Sequence, residues 1–184
     1  MTAPTVTPVA ATPAVWHIDA AHSTAEFAVK HLMISTVKGR FAGISGTITT
    51  GAEPEVVAEI DASTIDTREA RRDAHLRSAD FFDVEKFPVL TFRSRRVEQV
   101  RDGGFRLIGD LTMRGVTREI ALDVTEEGQA TDPWGGSRAA FSATTTLDRR
   151  EFGLTWNQAL EAGAVLVGNE VRITLEVQAV AQAA

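Results

Sequence analysis

Residues 105–124 read FRLIGDLTMRGVTREIALDV. Phe105, Leu107, Gly109, Leu111 and Met113 fall on one face, with Arg106, Asp110 and Thr112 opposite. After Arg114-Gly115, Val116, Ile120, Leu122 and Val124 again share a face, broken only by Arg118. A period of two marks a strand with one dry face and one wet face. Two such runs separated by two residues predict a tight antiparallel hairpin. The period continues outward. Val171, Ile173, Leu175 and Val177 oppose Glu170, Arg172, Thr174, Glu176 and Gln178, and Ala25, Phe27, Val29 and His31 oppose Glu26 and Lys30. Phe41, Ile44 and Ile48 lie in a run bent by Gly39, Gly43 and Gly46, and residues 56–60, 88–97 and 138–147 complete about eight strands. An all-β chain of this kind makes a sandwich or a closed barrel, and closure removes unpaired edges.

Two segments leave the period. Residues 66–77, DTREARRDAHLR, predict one short helix opened by a capping box of Asp66 and Glu69. Residues 149–169 carry Phe152, Leu154, Trp156 and Leu160 without alternation. A loop this apolar is expected to pack over something, such as a barrel end.

The chain has 184 residues, enough for one domain with a core of its own. Its 19 Lys plus Arg against 25 Asp plus Glu leave a net charge of −6, which argues against a nucleic-acid partner. Without Cys there is no disulfide, thiolate nucleophile or Cys-ligated metal. The first fourteen residues hold Pro4, Pro8 and Pro13 and no charge, so they read as a flexible tail and not a secretion signal. No run of about 18 apolar residues predicts a membrane span. The expected location is the cytoplasm.

Catalytic motifs are missing: there is no P-loop, GxGxxG, GxSxG or HExxH. The nearest approach to metal-ligand spacing is His17-x-Asp19-x-x-His22, with His31 and His75 far away. Asp19 and His22 are expected instead to hydrogen-bond a turn before the first long strand, and no metal is expected. His22 and Ser23 are adjacent on extended chain and face apart, which makes a poor nucleophile–base pair. His31 ends an apolar face, either as a polar anchor at a cavity mouth or as a core histidine bonded to backbone. Arg68, Arg71, Arg72 and Arg77 make the helix basic, a solvated face or a site for an anionic headgroup.

Five runs carry a resemblance: IDAAHSTAEFAVKHLM (18–33), VKGRFAGISGTI (37–48), STIDTREARRDAHLRSADFFDVEKFPVLTF (63–92), LIGDLTMRGVTREI (107–120) and LDRREFGLTW (147–156). In this order, over about Trp16 to Val177, they resemble the YceI family of polyisoprenoid-binding, lipocalin-like proteins. The resemblance implies an all-β fold, an elongated eight-stranded antiparallel barrel with one short helix. It would span residues 16–181 as one lipid-binding domain after a tail at 1–15. It implies a binding protein that holds or carries a long isoprenoid chain, with no catalytic residues and no cofactor beyond a bound polyisoprenoid or quinone-like lipid. Members are often periplasmic or secreted, and this sequence shows no signal.

The barrel geometry agrees with a thin ligand. A ten-residue strand spans about 33 Å, and a tilt of about 40° leaves a barrel roughly 25 Å tall. The expected lumen residues are Phe27, Val29, His31, Phe41, Leu90, Phe92, Leu107, Gly109, Leu111, Met113, Ile120, Leu122, Phe141, Phe152, Trp156, Ile173 and Leu175. Gly109 would keep the tunnel open, in which case Ala is tolerated there; the competing use is a bend or bulge. Two other uses of the cavity stand beside the carrier: an isomerase or cyclase of an apolar substrate, and a scavenger of lipophilic compounds. The expected partner is a long-chain isoprenoid lipid, and a homodimer stays open.

Overall fold

Alternating side chains oblige every strand to bury one face, and ten strands do so around a common interior. The computed structural model describes residues 14–100, 104–159 and 165–182. The expected tail, up to residue 13, and Leu160 lie outside the described residues. The strands are β1 (Val15–Ile18), β2 (Thr24–His31), β3 (Ser35–Phe41), β4 (Ile44–Thr49), β5 (Glu55–Asp61), β6 (Val89–Gln99), β7 (Phe105–Met113), β8 (Val116–Thr131), β9 (Ser137–Asp148) and β10 (Val167–Ala181). All neighbours are antiparallel. Val15, assigned to the tail by sequence, already pairs with Thr49 in the sheet.

The ring runs β1-β4-β5-β6-β7-β8-β9-β10 and closes where β1 pairs back to β10. Eight strands therefore form the barrel. The other two extend it: β2 continues the line of β1 along β10, and β3 pairs only with β2. The break between β1 and β2 is a short 3₁₀ turn, Ala20–His22. Asp19 caps it through the Ala21 amide (3.0 Å), and its other oxygen meets His22 Nδ1 at 2.9 Å. This is the turn role expected for Asp19 and His22.

The hairpin of 105–124 forms in the expected register, Met113 opposite Val116. Arg114 and Gly115 both take positive φ, +51° and +72°, as a two-residue turn between right-twisted strands requires. Gly115 is needed there, and Phe87 packs against it. Strand β8 runs seven residues past the predicted end, to Thr131.

The helix differs from its sequence reading. It spans Ala70–Arg77, and Glu69 is the cap, accepting from the Arg71 and Arg72 amides. Asp66 instead caps the preceding turn through the Arg68 amide (2.8 Å) and bonds Arg40. Arg68 takes φ +62° and Glu69 is extended, so Asp66 lies too early to start the helix. Arg72 and Arg77 are not part of a solvated face. Arg72 donates to the Thr67 hydroxyl and carbonyl, and Arg77 to the carbonyls of Ser63 and Ile65 at 2.8 and 2.7 Å. They brace the helix (α1) against the segment before it.

Gly109 also serves the backbone. It pairs with Ser94 beside the bulge at Arg95 in β6, and a Cβ there would lie 2.4 Å from the Arg93 carbonyl oxygen and 2.8 Å from Ser94 Cα. The expected lumen role and tolerance of Ala are overturned, because the bulge brings β6 onto this position. Gly109→Ala is therefore expected to lower stability by about 1–3 kcal/mol in denaturant titration. Unchanged stability would disprove the close approach.

One ion-pair network ties the barrel closure to pH. Arg138 donates to Asp19 Oδ2 (2.8 Å) and Asp132 Oδ2 (3.0 Å). Chiefly through the Arg138 hydrogen bond and then that of His22, the Asp19 carboxyl is held down at about 2. A folded pKa below the unfolded one adds stability above about pH 4 that is lost as pH falls toward 2. Asp19→Asn should cost stability at pH 7, and the gap from the native protein should close on acid titration to pH 2. A gap that persists in acid would show that the carboxylate charge is not what stabilises this corner.

Candidate functional site

The inward phase of the strands meets around a cavity of about 280 Å³ whose wall offers no polar surface. Phe92, Leu107, Leu122, Val124 and Ala143 form its buried middle, with Phe105, Phe141 and Leu175 against them. A second group, Ala25, Phe41 and Ile44 from β2–β4 and Ile65 from the segment after β5, joins it and is flanked by Ile18, Phe27 and Leu76. Phe27, Phe41 and Phe82 pack in a row with centroids 5.8 and 5.5 Å apart, the first pair tilted and the second edge-to-face.

One end of the barrel is capped. Ala62, Phe81, Phe152 and Leu154 bury themselves against Leu90 and Met113, with Phe152 and Ala62 fully enclosed. These residues come from α1's flanks and from the loop after β9, which packs over the barrel end as its apolar composition predicts. Arg114 at the β7–β8 turn holds the cap by donating to the carbonyls of Gly153 and Ala79. His75 adds a polar strut: its Nε2 lies 2.8 Å from Asp80 Oδ2, and its ring stands edge-on to Phe81 and Trp156.

Arg149 is the buried charge of the site. It borders the cavity and is 6% exposed. Its guanidinium donates to the carbonyls of Gly168 (2.8 Å), Leu154 (2.6 Å), Trp156 (2.9 Å) and Val167 (3.4 Å). Burial pushes its pKa below the ordinary arginine value, with Asp148 acting in the opposite sense. Four of its five donors meet carbonyls without a carboxylate, so Arg149 clamps the loop to the start of β10. Asn157 does the same from outside, bonding both the amide and the carbonyl of Val167.

Thirteen of the residues expected at the lumen border the cavity: Phe27, Val29, Phe41, Leu90, Phe92, Leu107, Leu111, Met113, Ile120, Leu122, Phe141, Ile173 and Leu175. Four do not. Gly109 is filled by its neighbours; Phe152 and Trp156 lie in the cap; His31 pairs with Ser35 and Val167 at the end of β2. Phe105, Val124, Val171 and Val177 also line the wall, and the alternation already placed them on that face. Leu76, Phe81, Phe82 and Leu154 line it too, but no strand period points to residues on a helix and its loops. Glu26 and Thr91 touch its margin; Glu26 alternates outward and is exposed. Among the described residues no three His, Cys, Asp or Glu side chains gather as metal ligands. Asp19 faces the Arg138 cation and His17 is exposed on β1.

No helix among the described residues is long and apolar enough to cross a membrane. The YceI-like domain model matches residues 16–179. A UPF0312 protein of Staphylococcus aureus strain USA300 is 38% identical over 159 residues, covering 84% of this chain and 90% of that protein. A solved Campylobacter jejuni YceI protein is 29% identical with a TM-score of 0.70, covering 84% of this chain and 90% of its own. A polyisoprenoid binding domain from Saccharophagus degradans, implicated in plant cell wall breakdown, shares the fold at 18% identity and a TM-score of 0.68, covering 91% and 98%. With the matched region spanning the whole closed barrel and its cap, the chain belongs to the YceI family.

Proposed function

We propose that the barrel binds one long, slender apolar molecule, a polyisoprenoid or a related quinone-like amphiphile, and carries it through water. The observation that carries this reading is the cavity inside the barrel with no polar surface on its wall. Family membership supports it, as does the fold shared with a domain described as polyisoprenoid-binding. The volume, about 280 Å³, lies just below the usual range for small-molecule pockets, and the apolar wall suits a hydrocarbon chain better than a polar metabolite.

The energetics favour chains over small rings. Burying a five-carbon unit contributes about 4 kcal/mol gross, at about 0.8 per carbon. Association costs roughly 4–15 kcal/mol, so about one to four units only offset that cost and strong binding needs a longer chain. Each further unit adds affinity until the cavity is full, and one methylene more or less discriminates weakly. A catalytic chamber would need polar groups converging inside, whereas the Arg149 donors are occupied by carbonyls. Binding without chemistry is the reading these contacts favour.

Native mass spectrometry and organic extraction of purified protein should yield a long apolar molecule at up to one per barrel. Stripped protein should take up prenyl alcohols with affinity rising from ten-carbon to twenty-carbon chains. Ala143→Phe, which projects into the cavity from β9, should abolish uptake while the far-ultraviolet β signature persists. Empty protein that takes up no prenyl lipid after stripping would sink the carrier reading, as would full uptake by a folded Ala143→Phe protein.

A further inference from the structure

The tip of the β2–β3 hairpin spends apolar side chains where the barrel makes no use of them. The turn closes with the Ile34 amide donating to the His31 carbonyl (3.2 Å), and Leu32 and Met33 both take positive φ, +53° and +60°. Asn-Gly is the strong preference for such a turn, because an ordinary side chain at positive φ crowds its own backbone. Here both central positions carry long apolar chains. They are also wet: Leu32 is 37%, Met33 58% and Ile34 83% exposed. Three consecutive residues thus meet a solvation penalty, two of them with a conformational penalty added, and none fills the cavity.

The surroundings are basic on an acidic protein. Lys30 and Lys38 stand exposed on the outer face of the hairpin, opposite Thr36 and Ala28. The antiparallel bridge of Arg40 with Asp66 brings the next residues alongside β3, so that Thr67 packs over Gly39 and the exposed Arg68 lies toward Lys38. Exposed Arg71 follows on α1. The carboxylates near this face are Asp66, paired with Arg40, Glu26, opposite Arg40 in register, Glu69, which caps α1, and the exposed Glu170 on β10, which lies in the stretch of β10 alongside Lys30. Among the described residues no carboxylate lies within 4 Å of the Lys30, Lys38, Arg68 or Arg71 cations. The exposed Trp134 marks the contrast: it lies at the far end of the barrel, in the β8–β9 turn capped by Asp132, beyond Glu126 and Glu127.

We propose that the β2–β3 tip docks on an anionic lipid bilayer, inserting Leu32, Met33 and Ile34 at the headgroup boundary while Lys30, Lys38 and Arg68 meet the phosphates. An apolar tip ringed by cations is the composition that binds such an interface. Docking also turns the capped end of the barrel toward the lipid, because the tip lies at the same end as the loop after β9. Val29 and Val167 line the cavity, and Val167 pairs with His31 immediately before the tip. The docking surface is independent of what fills the barrel.

Flotation of the full-length protein with phosphatidylglycerol vesicles, and separately with phosphatidylcholine vesicles, tests this. The native protein should float with the anionic vesicles and be released by salt. The variant Leu32→Asn/Met33→Gly/Ile34→Ser should lose about tenfold or more of that binding, while its melting temperature holds or rises because Asn-Gly suits the turn. Lys30→Glu and Lys38→Glu should each weaken binding by at least about fivefold. Should the triple variant not fold, Ile34→Ser alone, at an unstrained position, should still show the loss. Ala143→Phe should float like the native protein, which separates failure here from failure of the ligand-binding reading. The proposal is overturned if the native protein does not float with anionic vesicles or if a folded tip variant floats undiminished. It is equally overturned if sedimentation shows a native dimer that the tip variant dissolves without any vesicle binding, since the tip then covers a second copy.

Discussion

Three residue pairs, Trp16 with Ala181, His17 with Val180 and Ile18 with Ala179, join the first strand to the last and turn a sheet into a barrel. Everything inside depends on that closure. Without it β1 and β10 would present open edges, and the apolar faces of eight strands would have no common interior. The junction is reinforced where it is short: Arg138 on β9 reaches across to Asp19, at the end of β1, and to the Gln178 side chain on β10. Four residues of strand could not hold the seam by backbone pairing alone, and a charge-assisted bond at this corner is among the stronger single contacts available.

The same economy appears at the capped end. Backbone carbonyls where strands stop and loops begin accept from arginine guanidinium groups. Arg149 serves the loop after β9, Arg114 joins that loop to the β7–β8 turn, and Arg77 ties α1 to the segment after β5. Each guanidinium has five donors in a rigid plane, so one side chain can gather carbonyls from two segments at once. The cap is thereby held over an interior that contributes no hydrogen bonds of its own. An apolar cavity in a protein of this size is stable only if the shell around it is stiff, because the lining forfeits contacts across the void.

A wall without polar surface sets the chemistry that the YceI fold can perform here. For the proposed guest, affinity would scale with the apolar area removed from water, and selectivity for length would come from the size of the void and not from directed bonds. The exterior carries the directional information instead: basic and apolar at the rim beside the β2–β3 turn, acidic around the β8–β9 turn at the far end.

Much of the barrel was legible in a period of two. Side chains that alternate strictly must segregate, so Phe105 to Met113 and Val171 to Val177 announced their inner faces without any tertiary contact, and Arg114-Gly115 announced the hairpin. Thirteen cavity residues followed from the alternation together with the family resemblance, since the period by itself does not separate a filled core from an open tunnel. What phase cannot express is the distance between strands. Gly109 has the right phase for the lumen and fails to line it, because the bulge at Arg95 brings the neighbouring strand onto it. Phe81, Phe82 and Leu154 reach the cavity from a helix flank and a loop, where no period marks an inner side. Asp66 and Glu69 both fit a cap by spacing, and only the path of the chain through Thr67 assigned the cap to Glu69. Local order in the sequence determined which faces are dry; the packing of segments distant in sequence decided which of those faces enclose space.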